Sequence, residues 1–227
     1  MLNPNLVDWQ QIETVLLDMD GTLLDLGFDN YFWREHVPAA YAALNNIDFD
    51  SACALLFARM AELRGTLDWY CVEFWSTELG LDIVAMKTEL KSRIRVRPGA
   101  RAFLEAVRIS GRRQVLVTNA HRSTLEIKLT TTAIGHFFDR TISSHDLGAP
   151  KEDAIFWKHL QTELDLDPVR CLFIDDSPAV LEAAHRFGIS QVVSVERPDS
   201  SLPASPHGFF PNIDNLEDIA PQPMVTR

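Results

Sequence analysis

Two pairs of acidic residues, each closing a short apolar run, are the makings of a cation site. Residues 14–24 read T-V-L-L-D-M-D-G-T-L-L, so Asp18 and Asp20 stand two positions apart. That spacing projects both side chains from one side for as long as the chain stays extended. Gly21 then lets the backbone turn sharply, and Thr22 brings a hydroxyl to the mouth of the turn. Asp and Gly also end strands with no chemistry attached. Against that plainer reading stands the segment 171–178, C-L-F-I-D-D-S-P, in which Asp175 and Asp176 close another apolar run. Two unit charges about 4 Å apart repel by about 4 kcal/mol at an effective dielectric of about 20. Clustered carboxylates of this kind call for a counter-ion.

Positioning those groups takes buried strands. Val15, Leu16 and Leu17 have the composition of a strand covered on both faces, and further strands are predicted at 114–117, 139–143, 171–175 and 191–195. Helical patterns alternate with them. One spans 100–110 with Phe103, Leu104 and Val107 on one face, and others span 122–132 and 152–164. After Asp176 the signals are clear: Ser177 as N-cap, Pro178 in the first turn and Gly188 as the stop. Strands alternating with helices predict an α/β fold, a doubly wound parallel sheet with right-handed crossovers. Ligands of such sheets bind beyond the carboxyl ends of the strands. Asp18, Thr118 and Asp175 fall at three such ends, and Lys151 falls in the loop after a fourth strand.

The segment from Asp29 to about Arg93 is different, with apolar residues at helical spacing throughout and Pro38 its one proline. It predicts an all-helical insertion directly after the acidic turn, able to roof it. The domain boundaries expected are 1–27 with 94–227 for the α/β core and 28–93 for the helical cap. The Pro- and Ser-rich stretch 197–211 is expected to be irregular.

Composition excludes several classes of function. The 227 residues carry a formal net charge of −11, which disfavours DNA or RNA as a polymeric partner because backbone binding relies on Lys and Arg. No apolar run approaches the ~20 residues of a membrane span, and the polar amino terminus lacks the apolar region of a signal peptide. Cys53, Cys71 and Cys171 are widely spaced and odd in number, as expected of reduced thiols in a cytoplasmic protein.

With D-M-D-G-T, T-N, P-K and I-D-D-S in this order, the chain resembles the haloacid dehalogenase-like superfamily, most of whose members are Mg²⁺-dependent phosphatases. The helical insertion after the first motif looks like that family's type 1 cap, over a Rossmann-like core. More narrowly, L-L-D-M-D-G-T-L-L-D-L-x-F-D-N-Y-F-W, T-N-A-H and P-K-E-D resemble the bacterial GMP/IMP nucleotidase group. The resemblance implies that Asp18 is a nucleophile forming an aspartyl phosphate and that Asp20 is the general acid and base. It implies phosphate contacts from Thr118, Lys151 and the backbone amides of Met19, Gly21 and Asn119. Hard oxygen ligands and a phosphate substrate point to Mg²⁺, held by Asp18, Asp176 and the Asp20 carbonyl, with Asp175 behind them or as the direct ligand in place of Asp176. Phe28, Tyr31, Phe32, Trp33 and His121 are candidates for contacts to a purine, although an aromatic stripe at helical spacing is more often core.

The expected partner is therefore a small phosphomonoester, most of all a purine nucleotide. A sugar-phosphate or phosphoglycolate phosphatase is the nearest alternative. A catalytically idle module that binds a phosphorylated ligand is the alternative from another class.

Overall fold

The computed structural model describes residues 6–222. Its sheet has six strands, β1 (Thr14–Leu17), β2 (Arg113–Thr118), β3 (Arg140–Ser143), β4 (Cys171–Asp175), β5 (Gln191–Val195) and β6 (Asn212–Ile213), in the order β3-β2-β1-β4-β5-β6. Every neighbouring pair is parallel; Leu16 lies opposite Val115 of β2 on one side and Phe173 of β4 on the other. The chain runs outward from β1 through β2 and β3, then returns to build β4 on the opposite flank. This reversal opens a crevice at the carboxyl ends of β1 and β4, which is where ligands sit in open α/β sheets.

Strand alternation sends β1 into two cores. Val15 and Leu17 join Phe103, Leu104 and Val107 of the helix Ala100–Ile109, whereas Leu16 joins Phe156, Trp157 and Leu160 of the helix Ala154–Leu164. Helices thus cover both faces, as a strand of uninterrupted apolar residues requires. The helices between Gly27 and Glu89 enclose a third apolar cluster, built on Phe32, Val37, Leu56, Val72, Trp75, Leu79 and Ile83. The first of them widens into a π-helical turn at Phe32–His36 where the periodicity predicts continuous α-helix. Pro38 is the second residue of the next helix, Val37–Asn45, and has no N–H to give the preceding turn, so a wider turn ahead of it is a local accommodation.

The crevice owes its shape to the turn after β1. Asp18 N–H still donates to the Ile174 carbonyl at 3.0 Å, extending the ladder by one residue. Beyond it the Leu23 and Leu24 amides both donate to the Met19 carbonyl, at 2.9 and 2.8 Å, and Gly21 N–H donates to Leu24 O at 2.7 Å. Gly21 has φ +88°, and a Cβ there would stand 2.6 Å from the Asp176 carboxylate, so both backbone freedom and the absent side chain are needed.

Ser177 occupies the N-cap of the helix Pro178–Phe187 without the side-chain cap bond that its type predicts. Its backbone N–H donates instead to Asp175 Oδ1 at 2.8 Å, so the acid that closes β4 does the capping. β6 has two residues, too short to leave a pattern in the sequence. Arg97 ties down the chain on both sides of it, its guanidinium donating to the carbonyl of Pro198 in the irregular stretch before β6 (3.2 Å) and to that of Asp214 just after it (2.9 Å).

Candidate active site

Asp18, at the end of β1, is buried and faces a buried lysine. Lys151 Nζ donates to Asp18 Oδ1 at 2.5 Å, to Asp175 Oδ2 at 2.7 Å and to the Val117 carbonyl at 3.2 Å, which uses all three of its protons. Its own backbone is tied on both sides: Lys151 N–H donates to Asn119 Oδ1 at 2.9 Å, and the indole of Trp157 donates to Lys151 O at 2.8 Å. The sequence separates Asp18, Asn119, Lys151 and Asp175 by up to 157 positions; the parallel sheet gathers them at one rim.

Asp18, Asp175 and Asp176 each place a carboxylate oxygen within 4.8 Å of the others. Burial raises the Asp18 carboxyl to about 6, with Lys151 pulling it down and Asp175 pushing it up. Asp176 is pushed well above the usual carboxylate range by desolvation and by the charges of Asp175 and Asp18. One ammonium among three carboxylates leaves an excess of negative charge at the rim. This is an all-oxygen, anionic donor set of the kind that a hard divalent cation fits.

Asp20, beside this rim, is engaged by a network of largely buried charges that links the α/β core to the helical segment. Lys128, on the helix Arg122–Thr132, places Nζ 2.7 Å from Asp20 Oδ1 and 2.6 Å from Asp29 Oδ2. Lys87, on the helix Ile83–Glu89, donates to the other oxygen of Asp29 at 2.8 Å. Its ammonium also lies 4.4 Å from the Phe32 ring centroid and 5.1 Å from that of Phe28. Burial lifts Asp20 to about 6, opposed by Lys128 and reinforced by Asp29 and Asp18. Burial works against Asp29 too, but the two lysines win and hold it well below the usual range.

Thr118 is buried at the end of β2, and its Oγ1 accepts the Ala120 N–H at 3.0 Å, leaving the hydroxyl proton to donate. The side chain of Asn119 is committed to Lys151 N–H and, through Nδ2, to Glu152 at 3.0 Å. Tyr70 of the helical segment donates its hydroxyl to the same Glu152 at 2.6 Å. A phosphate would have to compete with Leu24 O for the Gly21 amide. Phe28 and Phe32 are buried in the apolar cores, Tyr31 and Trp33 are partly exposed, and the Arg93 guanidinium sits 3.8 Å from the Tyr31 centroid. His121 lies 2.9 Å from Glu73, with its ring edge-on to His145.

Lys128, Asp29, Lys87, Tyr70 and Glu152 escape a reading of the sequence. Lys128 does leave a trace, because Leu125, Lys128 and Thr132 occupy the buried face of one helix at spacings of three and four. A lysine on an apolar stripe is unusual enough to be marked for a buried partner.

Comparison with known proteins gives a consistent result. A family model described as haloacid dehalogenase-like hydrolase matches residues 12–188. A curated protein of Escherichia coli K12, GMP/IMP nucleotidase YrfG, is 41% identical over 218 residues, covering 96% of this chain and 98% of that protein. Among solved structures, a HAD phosphatase from Thermococcus onnurineus superposes with TM-score 0.76 at 22% identity, covering 90% of this chain and 94% of that one. A predicted phosphoglycolate phosphatase from Haemophilus somnus superposes with TM-score 0.67 at 19% identity, over 92% and 96% of the two chains. At these identities the two structures speak to the fold.

Proposed function

The chain belongs to the haloacid dehalogenase-like hydrolases, and from that premise we propose that it hydrolyses purine nucleoside 5′-monophosphates, IMP and GMP foremost, through a phosphorylated Asp18. The observation that carries the mechanism is the meeting of Asp18, Lys151 and the Asp175–Asp176 pair at one rim of the sheet. The substrate rests on the relative that is 41% identical over nearly the whole chain and named a GMP/IMP nucleotidase.

Hydrolysis of a phosphate monoester needs its barrier lowered by about 20 kcal/mol or more. A carboxylate nucleophile divides the task. An oxygen of Asp18 attacks phosphorus, the bond to the nucleoside oxygen breaks, and Asp20 gives that oxygen its proton. Asp20 then takes a proton from a water molecule, which attacks the acyl phosphate, releasing inorganic phosphate and restoring the Asp18 carboxylate. We assign the contacts to the phosphoryl oxygens, as charge develops on them, to Lys151 and the Thr118 hydroxyl, with the amides of Met19 and Asn119. The donor set suits Mg²⁺, held by Asp18, Asp176 and the Asp20 carbonyl with Asp175 fixed behind them by Lys151 and Ser177; when bound it supplies positive charge to offset that of carboxylate and phosphate.

We take residues 28–93 as a cap over this site and assign the base to its partly exposed aromatics, Tyr31 and Trp33. The three cysteines are free, which fits a reducing, cytoplasmic setting. No helix of the described residues is long and apolar enough to cross a membrane.

A panel of nucleotides, sugar phosphates and phosphoglycolate, assayed for phosphate release with Mg²⁺ and with EDTA, tests the reading. IMP and GMP should lead, and EDTA should remove all turnover. Release from sugar phosphates or phosphoglycolate alone would overturn the nucleotide assignment, and release indifferent to EDTA would overturn the metal.

Asp20 must hold a proton when the leaving group departs, and Lys128 works against that by favouring its carboxylate. Lys128→Met should therefore raise the Asp20 pKa and carry the alkaline limb of the kcat profile to higher pH. A profile measured from about pH 5 to 9 that stays put, or moves down, removes Lys128 from this positioning role.

A further inference from the structure

We propose that Cys71, His121 and His145 form a second cation site, specific for a borderline transition metal of the zinc class, that ties the helical segment to the α/β core. Cys71 lies between the helices Leu67–Tyr70 and Val72–Leu79, His121 at the N-cap of Arg122–Thr132, and His145 in the short helix after β3. The sulfur of Cys71 and one ring nitrogen of each histidine all lie within 4.8 Å of one another. Tetrahedral zinc, with bonds of about 2.3 Å to sulfur and 2.0–2.1 Å to nitrogen, holds such ligand atoms roughly 3.3–3.6 Å apart.

Two features of the cluster go beyond proximity. First, Nε2 of His145 is buried without a well-formed hydrogen bond, the ring having only a looser approach to the Leu67 backbone, a costly condition for a ring nitrogen and one that a metal relieves. Second, Glu73 sits as the carboxylate partner that metal-ligating histidines usually have: Oε2 is 2.9 Å from His121 Nδ1 and 3.7 Å from Cys71 Sγ, while Oε1 is fixed by the Ser123 hydroxyl at 2.9 Å. Metal binding must displace the thiol proton, which is released to solvent.

The donor chemistry sets this site apart from the rim of the sheet. Asp18, Asp175 and Asp176 offer oxygen alone, which suits Mg²⁺, whereas one sulfur and two imidazoles select zinc-like ions and reject Mg²⁺. The proposal does not depend on what Asp18 does.

The full-length protein, dialysed against excess Mg²⁺, should retain about one zinc per chain by elemental analysis. Replacing zinc with Co²⁺ should produce a thiolate-to-cobalt charge-transfer band in the near ultraviolet, which the oxygen site cannot give. Cys71→Ser keeps an oxygen to accept the Phe74 N–H that the sulfur accepts at 3.4 Å, so the helix cap is preserved while the band disappears. His145→Ala should weaken zinc retention at least tenfold, and Asp18→Asn should leave both zinc and band unchanged. A wild-type protein without the band, or zinc retention equal in wild type, Cys71→Ser and His145→Ala, overturns the site.

Discussion

Asp18→Asn should lower kcat for IMP by at least about 10⁴-fold while leaving the metal-free protein at least as stable as the wild type at pH 7. The rate falls because an amide oxygen cannot form the acyl phosphate, and no neighbour offers a nucleophile in its place: Asp175 is held by Lys151 and the Ser177 amide. Stability moves differently because Asp18 sits with Asp175 and Asp176 around one lysine. Its carboxyl is raised from 3.8 to about 6 in the folded state, chiefly by burial. The folded state thus binds the proton more tightly than the unfolded one, and stability is lost as pH rises from the unfolded value through the folded one. Two units correspond to about 3 kcal/mol carried against folding at pH 7 by ionised Asp18. The neutral amide escapes that penalty, and its curve of stability against pH between 4 and 7 should be flatter than the wild type's. Phosphate release and urea denaturation without metal check the two halves separately. Retained turnover sinks the nucleophile, and a variant clearly less stable at pH 7 sinks the electrostatic account.

The two halves of the site differ in how far the sequence discloses them. Asp18, Thr118, Lys151 and Asp175 are legible because each follows an apolar run or a Pro-Lys turn, and alternation of strand with helix places such positions along one edge of a parallel sheet. The partners of those residues are not legible. Nothing near Asp29 or Lys87 announces that the two meet, 58 positions apart, in a buried pair, because no periodicity records how a helical insertion docks on the core. The sequence marks Asp20 as the general acid and base by resemblance but names no partner for it, whereas its environment is set by Lys128 from a helix on the far side of β2 in the chain. Phe28 and Phe32 show the converse: an aromatic stripe beside an acidic turn invites a stacking role, and the structure buries both rings against the ammonium of Lys87. Burial follows from which face the helix turns inward, and the sequence gives the stripe without the neighbour it faces.

Lys151→Met should be the most damaging single change to stability at the site, and its damage should depend on pH. The substitution preserves much of the aliphatic stem but removes the only ammonium among the described residues that touches Asp18 and Asp175, and leaves Val117 O without that donor. Removing one partner of a buried pair costs about 3–5 kcal/mol, because the remaining charge stays desolvated. Asp18 and Asp175 are already raised by burial with Lys151 holding them down, so both rise further without it. Acids whose folded pKa exceeds the unfolded one favour the folded state least at high pH. The deficit relative to wild type is therefore greatest at pH 7 and above and shrinks toward pH 5, where protons replace the missing cation. Mg²⁺ should narrow the deficit at pH 7 if the three carboxylates hold it. Catalysis should not recover in parallel: kcat/KM is expected to fall about 10³-fold even with saturating Mg²⁺, since a fixed donor to the transferring phosphoryl group is gone. Urea titrations at both pH values, with and without Mg²⁺, resolve the stability component. A deficit independent of pH means that Lys151 is not what compensates the acids, and a rate within tenfold of wild type means that it does not touch the phosphate. Lys151→Arg separates charge from shape. Its planar fork cannot set three protons around one nitrogen, so it should restore more stability than rate.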